Sequence, residues 1–252
     1  MIKLFRNIRQ KLLAEGKTSR YLKYAIGEII LVVIGILIAL SINTWNEERK
    51  EKAIVENVLK NIRVDLQADT TKFARDLKRI PPMLVDSKAL LNSTFPDTLS
   101  ANALYELLPY SAFNYQVKDQ SYEKVISAGI TDFFEYNTLF EKIDNYYTID
   151  SNAYNVITKW DSDDNIDDGK LWLTMDFEID IYKGDFYKEN DIQFVQNEVN
   201  RKAVFLEKLR EPTTRNAIKM NTYRKMRMIK TLTEMKQNAT QIILEINQQL
   251  EE

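Results

Sequence analysis

The sequence predicts a mostly α-helical protein with one N-terminal transmembrane helix, on three observations. An apolar run follows a basic leader, glycine and proline are scarce beyond it, and apolar residues recur at steps of three and four. The expected architecture is that transmembrane helix continuing into an extracytoplasmic antiparallel helical bundle, with room for one small β element near residues 171–187. Residues 1–23 form the leader, 24–45 the span and 46–252 the extracytoplasmic helical domain.

The leader carries Lys3, Arg6, Arg9, Lys11, Lys17, Arg20 and Lys23 against Glu15 alone. Residues 24–45 contain one charge, Glu28, and as a helix would reach about 33 Å, enough for a hydrocarbon core of about 30 Å. Tyr21, Tyr24 and Trp45 stand where an aromatic belt forms, and the flanking charge keeps the N-terminus in the cytoplasm. A cleavable signal peptide is the rival reading, because the unbroken apolar run from 29 to 40 is short and Ala39-Leu40-Ser41 loosely resembles a cleavage site. The long leader and Trp45 argue against it. Within the span Gly27, Leu31, Gly35 and Ala39 recur every four residues, a ridge of mostly small side chains on which another helix can pack closely. Glu28 reads as an interfacial carboxylate reaching water or pairing with Lys23 or Arg20; the sharper reading is a proton-handling or partner-pairing group.

The block YAIGEI, an apolar stretch, GILIAL, then Ile42-Asn43-Thr44-Trp45-Asn46-Glu47, resembles the N-terminal signature of a family of uncharacterised single-span proteins from Bacteroidota, a domain of unknown function. Residues 121–147 echo the same family's pattern of an aromatic-bearing helix, a glycine and a second helix ending in paired tyrosines. The resemblance implies an anchor in the bacterial inner membrane with the main domain in the periplasm. It implies no activity.

Beyond the span, residues 46–80 lack proline and glycine, and Ile54, Val58, Ile62 and Leu66, joined by Val55 and Leu59, form an apolar stripe. Pro81-Pro82 is expected to end that helix. Ser100 is placed to cap a helix running to Leu108, and Ser121 another that stops at Gly129. Leu139, Ile143 and Tyr146 or Tyr147 mark one face of the next. The 13 tyrosines and 11 phenylalanines are read as packing, with ligand lining by Tyr110, Phe113, Tyr115 and Tyr122 as the alternative.

Between 161 and 191 eleven acidic residues face only Lys170, Lys183 and Lys188. Asp161, Asp163 and Asn165 match the first ligand spacings of a calcium loop, but Ile166 replaces its glycine and Trp172 its closing glutamate, so an EF-hand is rejected. A solvated loop is expected, with a weak cation site from Asp161, Asp163, Asp164, Asp167 and Asp168 as the alternative. Leu171, Leu173, Met175, Phe177, Ile179 and Ile181 alternate with polar or aromatic residues, the period of a strand. Two closing helices are expected over 191–210 and 213–250; the second carries a seam of Ile229, Leu232, Met235, Ala239, Ile242 or Ile243, Ile246 and Leu250. Its basic cluster, Arg215, Lys219, Arg224, Lys225, Arg227 and Lys230, is assigned to salt bridges with the acidic window.

With no cysteine and no histidine, the chain has no thiol nucleophile, no Ser-His-Asp triad and no ordinary zinc or haem ligand set. Six dispersed glycines write neither a P-loop nor a dinucleotide fingerprint. The first functional expectation is therefore a membrane-anchored structural or interaction (adaptor) protein. It is non-enzymatic, without cofactor, metal or nucleic acid, and its partners are the bilayer and an envelope protein or a second copy. A periplasmic sensory or ligand-binding module acting through a membrane partner comes second, and a proton-coupled motor-type subunit using Glu28 third.

Overall fold

The structure is a computed structural model that describes residue 14, residues 18–180 and residues 193–250. It is mostly helical, and no strand occurs among the described residues. The helices are α1 (Thr18–Asn92), α2 (Ala101–Glu106), α3 (Gln120–Ala128), α4 (Asn137–Asn145), α5 (Ser151–Leu173), α6 (Glu198–Lys208) and α7 (Pro212–Leu250). A 3₁₀ turn (Phe134–Tyr136) precedes α4, and a π-helical turn (Tyr146–Asp150) joins α4 to α5. The chain divides into two compact units, Met1–Asn57 and Val58–Glu252.

In the first unit α1 contains the apolar segment, a helix long and apolar enough to cross a membrane, with none of its most apolar window buried. Of the leader, residue 14 and residues 18–23 are among the described residues.

In the second unit α1 buries Leu59, Ile62, Leu66, Asp69, Phe73, Asp76 and Ile80, in steps alternating three and four, then Ser87 and Leu90 in the same phase. That phase explains the first correction: α1 runs through Pro81-Pro82 to Asn92. Both prolines are on the exposed side, where the missing backbone donors cost least, while Ile80, Ser87 and Leu90 hold the buried side together. Ser87 also donates its hydroxyl to the Met83 carbonyl at 2.6 Å.

The short helices have legible ends. Ser100 accepts from the Ala103 amide and Asn197 from the Asn200 amide, capping α2 and α6. Gly129, at φ 66°, closes α3 in the left-handed conformation that glycine tolerates without strain. The helix expected to begin at 191 starts at Glu198; Asp191 itself lies outside the described residues.

Long-range hydrogen bonds give the helix directions. Arg63 meets Asn247 at 2.7 Å and Arg215 meets the Leu91 carbonyl at 2.8 Å, so α1 and α7 run antiparallel. Asp150 pairs with Asn238 and Asp161 with Lys225, so α5 and α7 are antiparallel too. Asp69 pairs with Tyr146 and Phe73 packs on Tyr154, so α1 and α5 run parallel.

Two further corrections concern 161–187. The acidic stretch is not a solvated loop: residues 161–168 lie inside α5, and Asp161 is fully buried. The β element is absent among the described residues; 171–173 are the last turn of α5, 174–180 are irregular, and 181–187 lie outside the described residues. Trp172, not Leu171 or Leu173, faces inward. Its ring stacks on Phe205 at 4.9 Å and meets Phe177 edge-on at 5.7 Å, within a core that also takes in Leu90, Leu104, Leu209 and Ile218. The alternation over this stretch reflects a helix end, and the indole's burial decides which side faces the core.

Candidate functional site

In the first unit the candidate surface is the apolar stretch of α1. Gly27, Leu31, Gly35 and Ala39 are all exposed, and a Cβ added at Gly27 or Gly35 meets nothing within 4 Å. The four-residue spacing puts them along one side of the helix, one residue to each turn. Glu28 is half-buried, one position beyond Gly27. Toward the other end the polar groups are satisfied locally. Ser41 donates to the Leu37 carbonyl (2.9 Å), Asn43 donates to Glu47 (2.9 Å), and the Arg49 guanidinium lies 5.4 Å from the Trp45 ring centroid.

Two polar centres of the second unit join its long helices. In the first, Asp69 on α1 is fully buried and accepts three hydrogen bonds: from the Tyr115 hydroxyl at 2.7 Å, the Lys118 amide at 3.0 Å and the Tyr146 hydroxyl at 2.9 Å. The π turn carries two consecutive buried tyrosines, Tyr146 and Tyr147. Burial pushes the Asp69 carboxyl above its ordinary value, against the lowering effect of those three donors. Tyr154 donates to the Tyr115 carbonyl, and Phe73 packs against both rings, so one carboxylate ties the segment before α3 and the π turn to α1.

In the second centre, Lys225 on α7 donates to both oxygens of Asp161 at 2.5 and 2.7 Å, and neither side chain is exposed. Asn165 donates to Asp161 (3.1 Å), and Asn221 to Asn165 (2.7 Å) and Asp168 (2.9 Å). Arg224 completes the edge with Asp164 at 2.8 Å and Asp168 at 2.6 Å. Burial lowers the Lys225 ammonium, opposed by Asp161. These carboxylates are answered by cations from the basic cluster, and among the described residues no group of three acidic side chains is arranged to hold a metal ion. Of the aromatics considered as ligand lining, Tyr110 accepts from Trp172, Phe113 lies between Arg79 and Lys225, Tyr115 binds Asp69, and Tyr122 donates to Asp144.

A cavity of about 470 Å³ opens beside the π turn, lined by Lys142, Asn145, Ile149, Asp150, Asn238, Gln241 and Ile242. At its edge Lys142 donates to both oxygens of Glu245 at 2.7 and 2.6 Å.

Residues 28–147 match the model of a family of unknown function, DUF6090. The match spans just under half of the chain, from Glu28 in the apolar segment to Tyr147 in the π turn. It therefore takes in Gly35, Ala39 and Asp69 with its three donors, and stops before Tyr154 and the Asp161–Lys225 centre. No curated protein and no solved structure matches the chain.

The salt bridges expected between the basic cluster and the acidic window form at Lys225–Asp161, Arg224–Asp164 and Arg224–Asp168; what sequence reasoning missed is the Asp69 centre and the burial of the Asp161–Lys225 pair. The signal was present as polar letters in phase with the apolar seam: Asp69 follows Leu66 by three, and Lys225 precedes Met228 by three.

Proposed function

We propose that this is a single-span protein of the bacterial inner membrane, with its N-terminus cytoplasmic and its main domain periplasmic, acting as a structural or interaction adaptor. The observation that carries the reading is the exposed apolar surface of residues 24–45, with Gly27, Leu31, Gly35 and Ala39 along one side. Lipid is the solvent such a surface requires, and small residues let a second helix approach closely within it. The basic leader supports the orientation, and the resemblance to single-span proteins of Bacteroidota supports the compartment. In this reading the partner is an envelope protein or a second copy, not nucleic acid, and the chain works by contact rather than catalysis, with no cofactor.

The test is crosslinking and affinity capture of full-length protein from native membranes, beside Gly35→Leu and Glu28→Gln. The parent is expected to yield a discrete partner or dimer that Gly35→Leu loses. Monomer alone from the parent would sink the adaptor reading. Capture unaffected by Glu28→Gln is the expected result for an interfacial carboxylate, whereas its loss would favour the motor-type reading.

The cavity beside the π turn favours a second reading, a periplasmic ligand-binding or sensory module working through a membrane partner. A thermal shift of the full-length protein in a small-metabolite screen, abolished by Asn238→Leu, would move that reading to first place.

A further inference from the structure

We propose that Asp161, Asn165, Asn221 and Lys225 form a register lock, deciding which residues of α5 face which residues of α7 rather than how firmly the two helices adhere. α7 buries side chains at alternating steps of three and four from Ile218 to Ile246, and α5 buries Ser151, Tyr154, Thr158, Asp161, Asn165 and Trp172 on the same seven-residue period. A seam of that period, if apolar throughout, meets itself again after a slide of seven residues, about 10 Å along the axis. Such a slide leaves apolar contact much as it was.

The quartet makes it costly. In the observed register Asp161 meets Lys225, Asn165 donates to Asp161, and Asn221 donates to Asn165. A slide of seven in either direction carries Asp161 from Lys225 to Leu232 or to Ile218, both buried and apolar. A buried carboxylate without its cation is among the most unfavourable arrangements a core can hold. Adhesion has another source, since replacing a buried ion pair by apolar residues is often neutral or stabilising.

The chain has no cysteine, so introduced pairs report register without background. In full-length protein in detergent, D150C/N238C marks the observed register, in which Asn238 donates to Asp150 at 2.6 Å. D150C/E245C and D150C/T231C mark the two slides. With a short bis-maleimide, which adds one cysteine thiol to each of its two ends, the parent background is expected to crosslink in the first pair alone. With all four quartet positions changed to leucine, the protein is expected to keep its helical circular dichroism and melt no lower, while a slide pair gains crosslinked product that the parent lacks. A leucine variant that still crosslinks in the observed register alone would overturn the proposal. So would one that loses its helical signal or melts lower, because the quartet would then supply adhesion.

Discussion

At the scale of single residues the sharpest consequences come from charges placed where the seam wants apolar groups. Asp69 has its carboxyl raised by burial from an ordinary value of 3.8, so the folded chain holds that proton more tightly than the unfolded chain does. Its penalty is absent below 3.8, grows as the pH climbs, and is complete above the raised value. Glu245 has the opposite sign: hydrogen bonds from Lys142 and Gln241 lower its pKa, giving stability that is present above about 4.5 and lost as the pH falls through the lowered value. With no histidine in the chain, few ordinary groups titrate between about pH 5 and 7. Melting temperature is therefore expected to drift downward as pH rises from about 4.5, and Asp69→Asn to flatten that drift. An unchanged slope in the variant would remove Asp69 as its source. Lys225→Leu alone strands the Asp161 carboxylate and is expected to cost about 3–5 kcal/mol in urea unfolding, while Asp161→Leu with Lys225→Leu is expected to cost nothing measurable.

At the scale of elements, the seam of α7 and the caps at Ser100 and Gly129 were legible because each is a local pattern with a local cause. Three readings failed where a tertiary cause overrode a local one. Pro81-Pro82 did not stop α1, because the buried residues on either side stay in phase and both rings face outward. The acidic stretch was read as a solvated loop although the basic cluster of α7 was assigned to it; that Asp161, Asp164 and Asp168 meet Arg224 and Lys225 from inside a packed helix is a tertiary fact that charge counting does not see. The alternation after Gly169 resembled a strand until Trp172 claimed the inward position. Pro82 gives the element-scale prediction. Its replacement by alanine restores an amide that can donate to the Lys78 carbonyl and removes the ring's clash with that turn. Pro82→Ala is therefore expected to stabilise the protein by about 1–2 kcal/mol in urea unfolding, below the ~3 kcal/mol of a fully unrelieved helix proline. Destabilisation would mean that a bend at this point is itself needed for the packing of Ile80 and Ser87.

At the scale of the whole molecule, the two units ask for different solvents. The apolar residues of 24–45 are exposed without exception at its large side chains, whereas the second unit hides its own around Trp172, Phe205 and the α1, α5 and α7 seams. Its buried charges, Asp69, Asp76, Asp161, Arg201, Arg224 and Lys225, all find partners within residues 58–252. A unit that buries its own apolar surface and answers its own charges has what independent folding requires. Residues 58–252, expressed alone, are accordingly expected to be soluble without detergent, monodisperse and cooperatively melting, while the full chain needs detergent or lipid. In that fragment Trp172→Ala is expected to cost about 3–5 kcal/mol, since the indole it removes lies at the centre of the aromatic core. Chemical denaturation of the fragment and its variant measures both. An aggregated or non-cooperative fragment would mean that residues before 58 supply part of its core, and the apolar face of α1 would then have to serve protein as well as lipid.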